Sequence, residues 1–359
     1  DVYKRQAADY DGMGFSDVIF PLFLFIVGLS IPLAIKVRIR KNQSHPIIIG
    51  HILTRTLALL VMGVYMVNAE SINQEAMQLN KSFWQILMAS AIFLIWLDYK
   101  RIPNIQKKLI WALKAIGIGI LIYLAIAYRD GSDSEILWMK TRWWGILGLI
   151  GWAYLLISMI YLFLRKKLIY LILAFIVLLF MNVQENAFFE FLPAFKIVVS
   201  ASHYTLVMAG TLCTAYYLRL KDEPGGINKL LTHIFLFGAI MIAFGFIIRP
   251  SFPLSKILAT PSWTSICIGI GLISYGGFYI LIDKLGFVKW GNPIKPAGTS
   301  TLTCYLMPYF IYPIIVVVGF QWPEAISDGV IGIIKSLLFS LVIILFVGFM
   351  ERKKIVLKI

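Results

Sequence analysis

Three side chains in this sequence have the types that acid–base chemistry needs: the carboxylate of Asp17, the imidazole of His203 and the guanidinium of Arg142. Brought together at one depth, they could move a proton and hold a developing negative charge. Each lies in or at the rim of an apolar segment, where a polar group is costly and reads as functional by default. Asn68, Trp144 and Trp263 fall at the same set of segment ends and join them as candidates to line a substrate, beside Ser16, Glu70, Trp143, Arg249, Ser255, Lys256 and Ser262. A structural reading stands next to each. Ser16 or Asp17 serves equally as a helix cap, with Pro21 in the first turn. His203 serves as hydrogen-bonded packing, and Trp143, Trp144 and Trp263 as an interfacial belt.

The opposite segment ends suggest different chemistry. The stretch WGNPIKPAGTSTLTCYLMPYFIYP places Gly291, Asn292, Pro293, Pro296 and Gly298 in a loop that runs into a hydroxyl-rich helix start, Thr299, Ser300, Thr301 and Thr303. Such a start favours an anion such as phosphate, although Thr and Ser are also ordinary caps. Arg55, one turn from His51, lies too deep to reach water comfortably and is expected to line an interior or to pair; Lys114 and Lys335 are expected to snorkel or pair. The three cysteines, Cys213, Cys267 and Cys304, lie singly inside apolar segments, and the four histidines have no ligand spacing, so no metal is expected.

These side chains need elements to position them. The 359 residues are 60% hydrophobic and only 14% charged, against about 45–50% and about 25% in soluble domains. The composition is that of an integral membrane protein. A window of about 20 apolar residues finds eleven candidate spans, centred near Ile26, Leu59, Met88, Ile118, Tyr154, Ala174, Met208, Ala239, Ile270, Tyr309 and Leu341, the third and sixth short. The expectation is an all-α polytopic bundle of about eleven transmembrane helices, with close packing at Gly269, Gly271, Gly276 and Gly277. Of the 33 lysines and arginines, 21 fall in one alternating set of connections and the tail, nine in the other set, and three inside spans. That bias predicts a cytoplasmic C-terminus and places Asp17 outside. It also accounts for the net charge of +15 without a nucleic-acid partner.

DVIFPLFLFIVGLSIPLA, with Asp17, Phe20, Pro21, Phe25, Gly28 and Pro32, resembles the signature of the transmembrane acyltransferases related to heparan-alpha-glucosaminide N-acetyltransferase, including a bacterial branch formerly a domain of unknown function. RTLALLVMGV with Arg55 and Gly63, RWWGILGLIGWAYL with Arg142 and Gly145, SKILATPSWTSICIGIGL and AGTSTLTCYL resemble further parts of that family, so that the likeness spans essentially the whole chain. The resemblance implies transfer of an acetyl group from cytoplasmic acetyl-CoA to a sugar amine or hydroxyl outside, in a bacterial inner membrane. Asp17 would then orient a catalytic histidine. Arg55, Asn292, Thr299 and Ser300 become candidates to hold acetyl-CoA, and Asn68, Arg142, Trp144, His203 and Trp263 candidates to line the glycan or amino-sugar acceptor. One departure is large: Ala7 stands where the family's histidine would be, Tyr10-Asp11-Gly12 aligns with its Trp-x-Gly, and the helix before them is missing. Residues 1–6, DVYKRQ, are therefore expected to be foreign, with the membrane domain covering 7–359, and the activity is expected to be lost if the true beginning is lost.

A transporter or flippase for a sugar or glycolipid is the competing expectation, and a non-catalytic membrane scaffold a third. All share the lipid bilayer as a partner, and a homodimer is compatible with each.

Overall fold

The computed structural model describes residues 10–130, 137–188, 200–323, 326–327 and 329–359. The expected foreign segment 1–6 and Ala7 lie outside them. Among the described residues the regular structure is helical, with two isolated bridges, Leu97 to Leu357 and Asp130 to Leu137. The longer helices are α1 (Phe15–Arg40), α2 (His45–Asn68), α3 (Lys81–Trp96), α4 (Lys107–Ala127), α5 (Gly145–Leu164), α6 (Leu168–Phe188), α7 (Ala201–Leu220), α8 (Gly226–Ile248) and α9 (Pro261–Tyr279). They are followed by α10 (Lys295–Thr299), α11 (Thr301–Leu306), α12 (Pro308–Val318) and α13 (Gly329–Arg352).

Every window read from the sequence holds a helix, and among the described residues eight spans are long and apolar enough to cross a membrane by themselves. Helix α3 is apolar but has only 16 residues, and α6 is apolar over Leu168–Gln184. Helix α7 falls short for a different reason. It is buried over nearly its whole length, from Ala201 to Ala215, and carries Ser202, Thr205, Thr211 and Thr214 inside. Wrapped in protein, it does not need a lipid-compatible surface. The chain is a multi-pass, all-helical membrane protein.

Two compact units divide the chain, one comprising Val2–Gly63 and Trp143–Gly286, the other Val64–Arg142 and Phe287–Ile359. In the first, α1 and α7 cross with backbone touching backbone. A Cβ on Gly28 would collide with the Val207 carbonyl, and one on Gly210 with the Phe25 carbonyl. Pro32, inside α1, has no N–H to give the carbonyl of Gly28 four residues earlier. Thr211 Oγ1 of α7 shares its one proton between Val207 O at 2.9 Å and that Gly28 carbonyl at 3.2 Å, and Thr214 Oγ1 donates to Leu29 O at 2.9 Å. The two helices run parallel, so their N-terminal ends share one end of the unit. Helix α8 lies antiparallel to α9 through Gly238, Gly245 and Gly269; Gly271 packs on Phe25 and Gly276 on Phe235. Of the four glycines expected to pack closely, Gly277 meets nothing within 4 Å.

In the second unit α3 and α4 are antiparallel. The indole N–H of Trp84 donates to Leu124 O at 3.2 Å, while Gly117 sits against Ala91 and Ile95. Phe93 packs edge-on against Phe310 of α12, 5.7 Å between ring centres. The tail after α13 pairs back onto the end of α3, Lys358 N donating to Trp96 O at 2.8 Å.

Candidate functional site

Helix α1 starts one residue after Gly14, which makes Asp17 its third residue and leaves Pro21 in the second turn, not the first. The two carboxylate oxygens of Asp17 have separate tasks. Oδ2 accepts the Gly14 N–H at 2.9 Å, capping the helix, and Oδ1 lies 3.6 Å from Lys256 Nζ in the connection before α9. Asp17 is 8% exposed. The cap reading and the charged-site reading therefore hold together.

One turn further along α1, the Phe20 ring meets His203 edge-on at 5.4 Å. His203 sits in the first turn of α7, 8% exposed, and among the described residues its Nδ1 has no hydrogen-bond partner. The neighbouring Ser202 bonds across to Thr264 of α9 at 2.6 Å between hydroxyl oxygens. Trp263, next to Thr264, is wholly buried, its indole N–H also without a partner among the described residues. A belt tryptophan would face lipid headgroups, so this corrects the belt reading for Trp263; Trp143, at 47% exposure, fits it. The N-terminal ends of α1, α7 and α9 thus gather a carboxylate, an ammonium, an imidazole and an indole. Buried polar groups almost always find a partner, and among the described residues Nδ1 of His203 and Nε1 of Trp263 have none.

The segment before α1 forms part of this end. Asp11 takes Arg249 Nε on both oxygens, at 3.1 and 3.0 Å, and accepts the Leu254 N–H at 2.7 Å, while Gly12 N donates to Leu254 O at 3.1 Å. The Leu254 amide first, and then Arg249, hold the Asp11 carboxyl below its ordinary value of 3.8.

The family described as Domain of unknown function (DUF5009) matches residues 3–214. The chain belongs to that family. No curated protein matches it. The matched region contains Asp17, Arg55, Asn68, Arg142, Trp144 and His203; Lys256, Trp263, Asn292, Thr299 and Ser300 lie beyond it.

The other candidates have structural employment. Arg55 lies over the Tyr154 ring, 4.8 Å from its centre, and its buried Nε has no hydrogen-bond partner among the described residues, in keeping with an interior position. Trp144 takes a left-handed conformation (φ +68°) at the N-cap of α5 and packs edge-on against Trp152 at 5.5 Å. In the second unit Asn68 is wholly buried and fully engaged. Its Nδ2 donates to Val64 O at 2.7 Å and Lys140 O at 2.6 Å, its Oδ1 accepts Lys140 N at 3.3 Å, and its backbone carbonyl takes the Tyr128 hydroxyl at 3.1 Å. Burial pushes the Tyr128 phenol up to about 12, so it remains a donor at neutral pH. Arg142 is paired with Asp130.

The hydroxyl-rich segment does not form the expected anion site. Helix α10 has five residues, and the hydroxyls turn back on the chain. Thr299 Oγ1 bonds Lys295 O at 3.2 Å and Glu351 at 2.9 Å, and Thr301 Oγ1 bonds Ala297 O at 2.8 Å. Ser300 is buried between α10 and α11, and Asn292 is exposed in the preceding turn. A glutamate facing Thr299 repels the phosphate that those hydroxyls were expected to attract.

Lys256 and Arg249 lie at the same end of the unit as Asp17, each beside a carboxylate that the sequence does not announce. Those partners, Asp17 and Asp11, lie more than 200 residues away, and no local spacing announces such pairs.

Proposed function

We infer that this protein transfers an acetyl group from acetyl-CoA to the amine or hydroxyl of a sugar, working across a bacterial inner membrane. In this reading about eleven helices cross the bilayer, the C-terminus is cytoplasmic, and the acceptor meets the α1–α7–α9 end outside. The observation that carries it is the grouping of Asp17, Lys256, His203 and Trp263, two of them with buried nitrogens that have no hydrogen-bond partner among the described residues. A base near a thioester lets the acceptor N–H or O–H attack the carbonyl carbon. The new C–N or C–O bond forms as the C–S bond breaks, and the proton passes to the departing thiolate. His203 and Asp17 are the groups assigned to the proton, and Lys256 to the developing oxyanion.

The break between α10, α11 and α12, at Ser300 and Met307, favours the second reading, a sugar or glycolipid transporter, because interrupted helices commonly build transport sites. One experiment separates the two. The protein is placed in vesicles with acetyl-CoA and amino-sugar acceptors, and free thiol is followed with an aromatic disulfide reagent. Acceptor-dependent thiol release supports the transferase. Movement of unmodified sugar without thiol release supports the transporter and ends the transferase reading.

A further inference from the structure

At the other end of the same unit, the C-terminal turns of α1, α5 and α7 and the start of α6 enclose a cavity of about 440 Å³. Lys36, Arg40, Arg165, Lys166 and Arg219 line it, and no carboxylate does. Among the described residues none of these five cations makes an ion pair. Two of them are fixed by backbone: Arg219 Nη2 donates to Lys166 O at 3.0 Å, and Arg165 Nη1 to Leu162 O at 3.3 Å. Each guanidinium keeps further N–H groups for a guest. Much of the rest of the wall is aliphatic, with Ile35, Ile39, Leu171 and Leu218.

Cations belong at helix C-termini for electrostatic reasons, and in the basic connections of a membrane protein. Neither rule requires five of them to share one concave volume, where they repel one another within a screening length of about 8 Å. A phosphate relieves that repulsion. The apolar wall and the position at the ends of spans add a second requirement, a guest with a hydrocarbon part.

We propose that this cavity binds an anionic phospholipid, its phosphate among Lys36, Arg40, Arg165, Lys166 and Arg219 and its chains along the aliphatic wall. The proposal is independent of the reaction assigned to the opposite end.

The chain, purified in detergent and stripped of lipid, is titrated separately with phosphatidylglycerol, phosphatidylcholine and inorganic pyrophosphate. Thermal unfolding and native mass spectrometry report binding. Phosphatidylglycerol is expected to raise Tm with concentration and to stay bound, whereas phosphatidylcholine does neither. The combined variant Lys36→Gln, Arg40→Gln, Lys166→Gln is expected to weaken phosphatidylglycerol at least tenfold. Lys229→Gln with Lys289→Gln, basic but outside the cavity, leaves it unchanged. Should the triple variant fail to fold, Arg40→Gln alone, on an exposed side chain, is expected to weaken it at least threefold. Unchanged binding in whichever variant folds overturns the proposal. Binding of pyrophosphate without phosphatidylglycerol assigns the cavity to a soluble phosphate and overturns it equally, as does binding of neither.

Discussion

Lys256 Nζ stands 3.6 Å from the Asp17 carboxylate whose other oxygen caps α1, so one side chain links the start of α1 to the connection before α9. The cap and the charge can be separated by substitution. Asp17→Asn keeps an oxygen for the Gly14 N–H and loses the charge facing Lys256. Asp17→Ala loses both, at a cost of about 1 kcal/mol for the cap. Asn is expected to leave Tm within about a degree of wild type while abolishing acceptor-dependent thiol release. Ala is expected to lower both. Full activity in the Asn variant returns Asp17 to capping alone.

Asn68 is expected to matter for stability, not for substrate. Asn68→Ala removes three hydrogen bonds to Val64 and Lys140 and leaves buried backbone groups unpaired, costing about 2–3 kcal/mol. Asn68→Asp is expected to be worse, because a carboxylate would face the two carbonyls that the amide now serves. Thermal unfolding in detergent ranks the three proteins, and the order wild type, Ala, Asp is the outcome to check.

The α1–α7 crossing predicts a contrast between two glycines. Gly210→Val drives a side chain into the Phe25 carbonyl and is expected to cost about 3 kcal/mol. Gly277→Ala adds a methyl where nothing lies within 4 Å and gains up to about 1 kcal/mol of helix propensity. Monodispersity on gel filtration and Tm distinguish them. Equal behaviour of the two variants would remove the crossing as a determinant of stability.

Asp11 makes the segment before α1 pH-sensitive. Its carboxyl is held below 3.8 in the folded protein, so its contribution is present at neutral pH and above the ordinary value, and is lost as the pH falls through the lower, folded one. Amide exchange at Gly12, whose N–H is bonded to Leu254, is expected to accelerate on that acid side. Asp11→Asn is expected to abolish the pH dependence. Exchange insensitive to pH in wild type, once corrected for intrinsic chemistry, would contradict the docking.

The positions of the helices were legible because long apolar runs have few alternatives in a membrane, and small residues such as Gly269 announce close contact. The sequence did not reveal which polar atoms were already in use. Asn68 and Thr299 have the composition of ligands, yet their hydrogen bonds go to Lys140 and Glu351, 72 and 52 residues away. Trp263 looked interfacial because it lies near a span end, and only the packing of α9 within the unit buries it. The basic connections were legible as an orientation signal residue by residue. Their convergence on one cavity depends on three helices ending and a fourth starting at the same level, which no single stretch encodes.

The Gly28–Thr211 bond also sets a schedule. Its two residues are 183 apart, and at a synthesis rate of about 5–20 residues per second the first exists for roughly 10–40 s before the second emerges. For that interval the Gly28 carbonyl freed by Pro32, and the glycine-bearing face of α1 beside it, have no α7 to meet. The newborn helix is thus a waiting half of a joint, dependent on surrounding lipid or the insertion machinery until its partner is made. Substitutions that stabilise α1 in the finished protein need not help it through that wait.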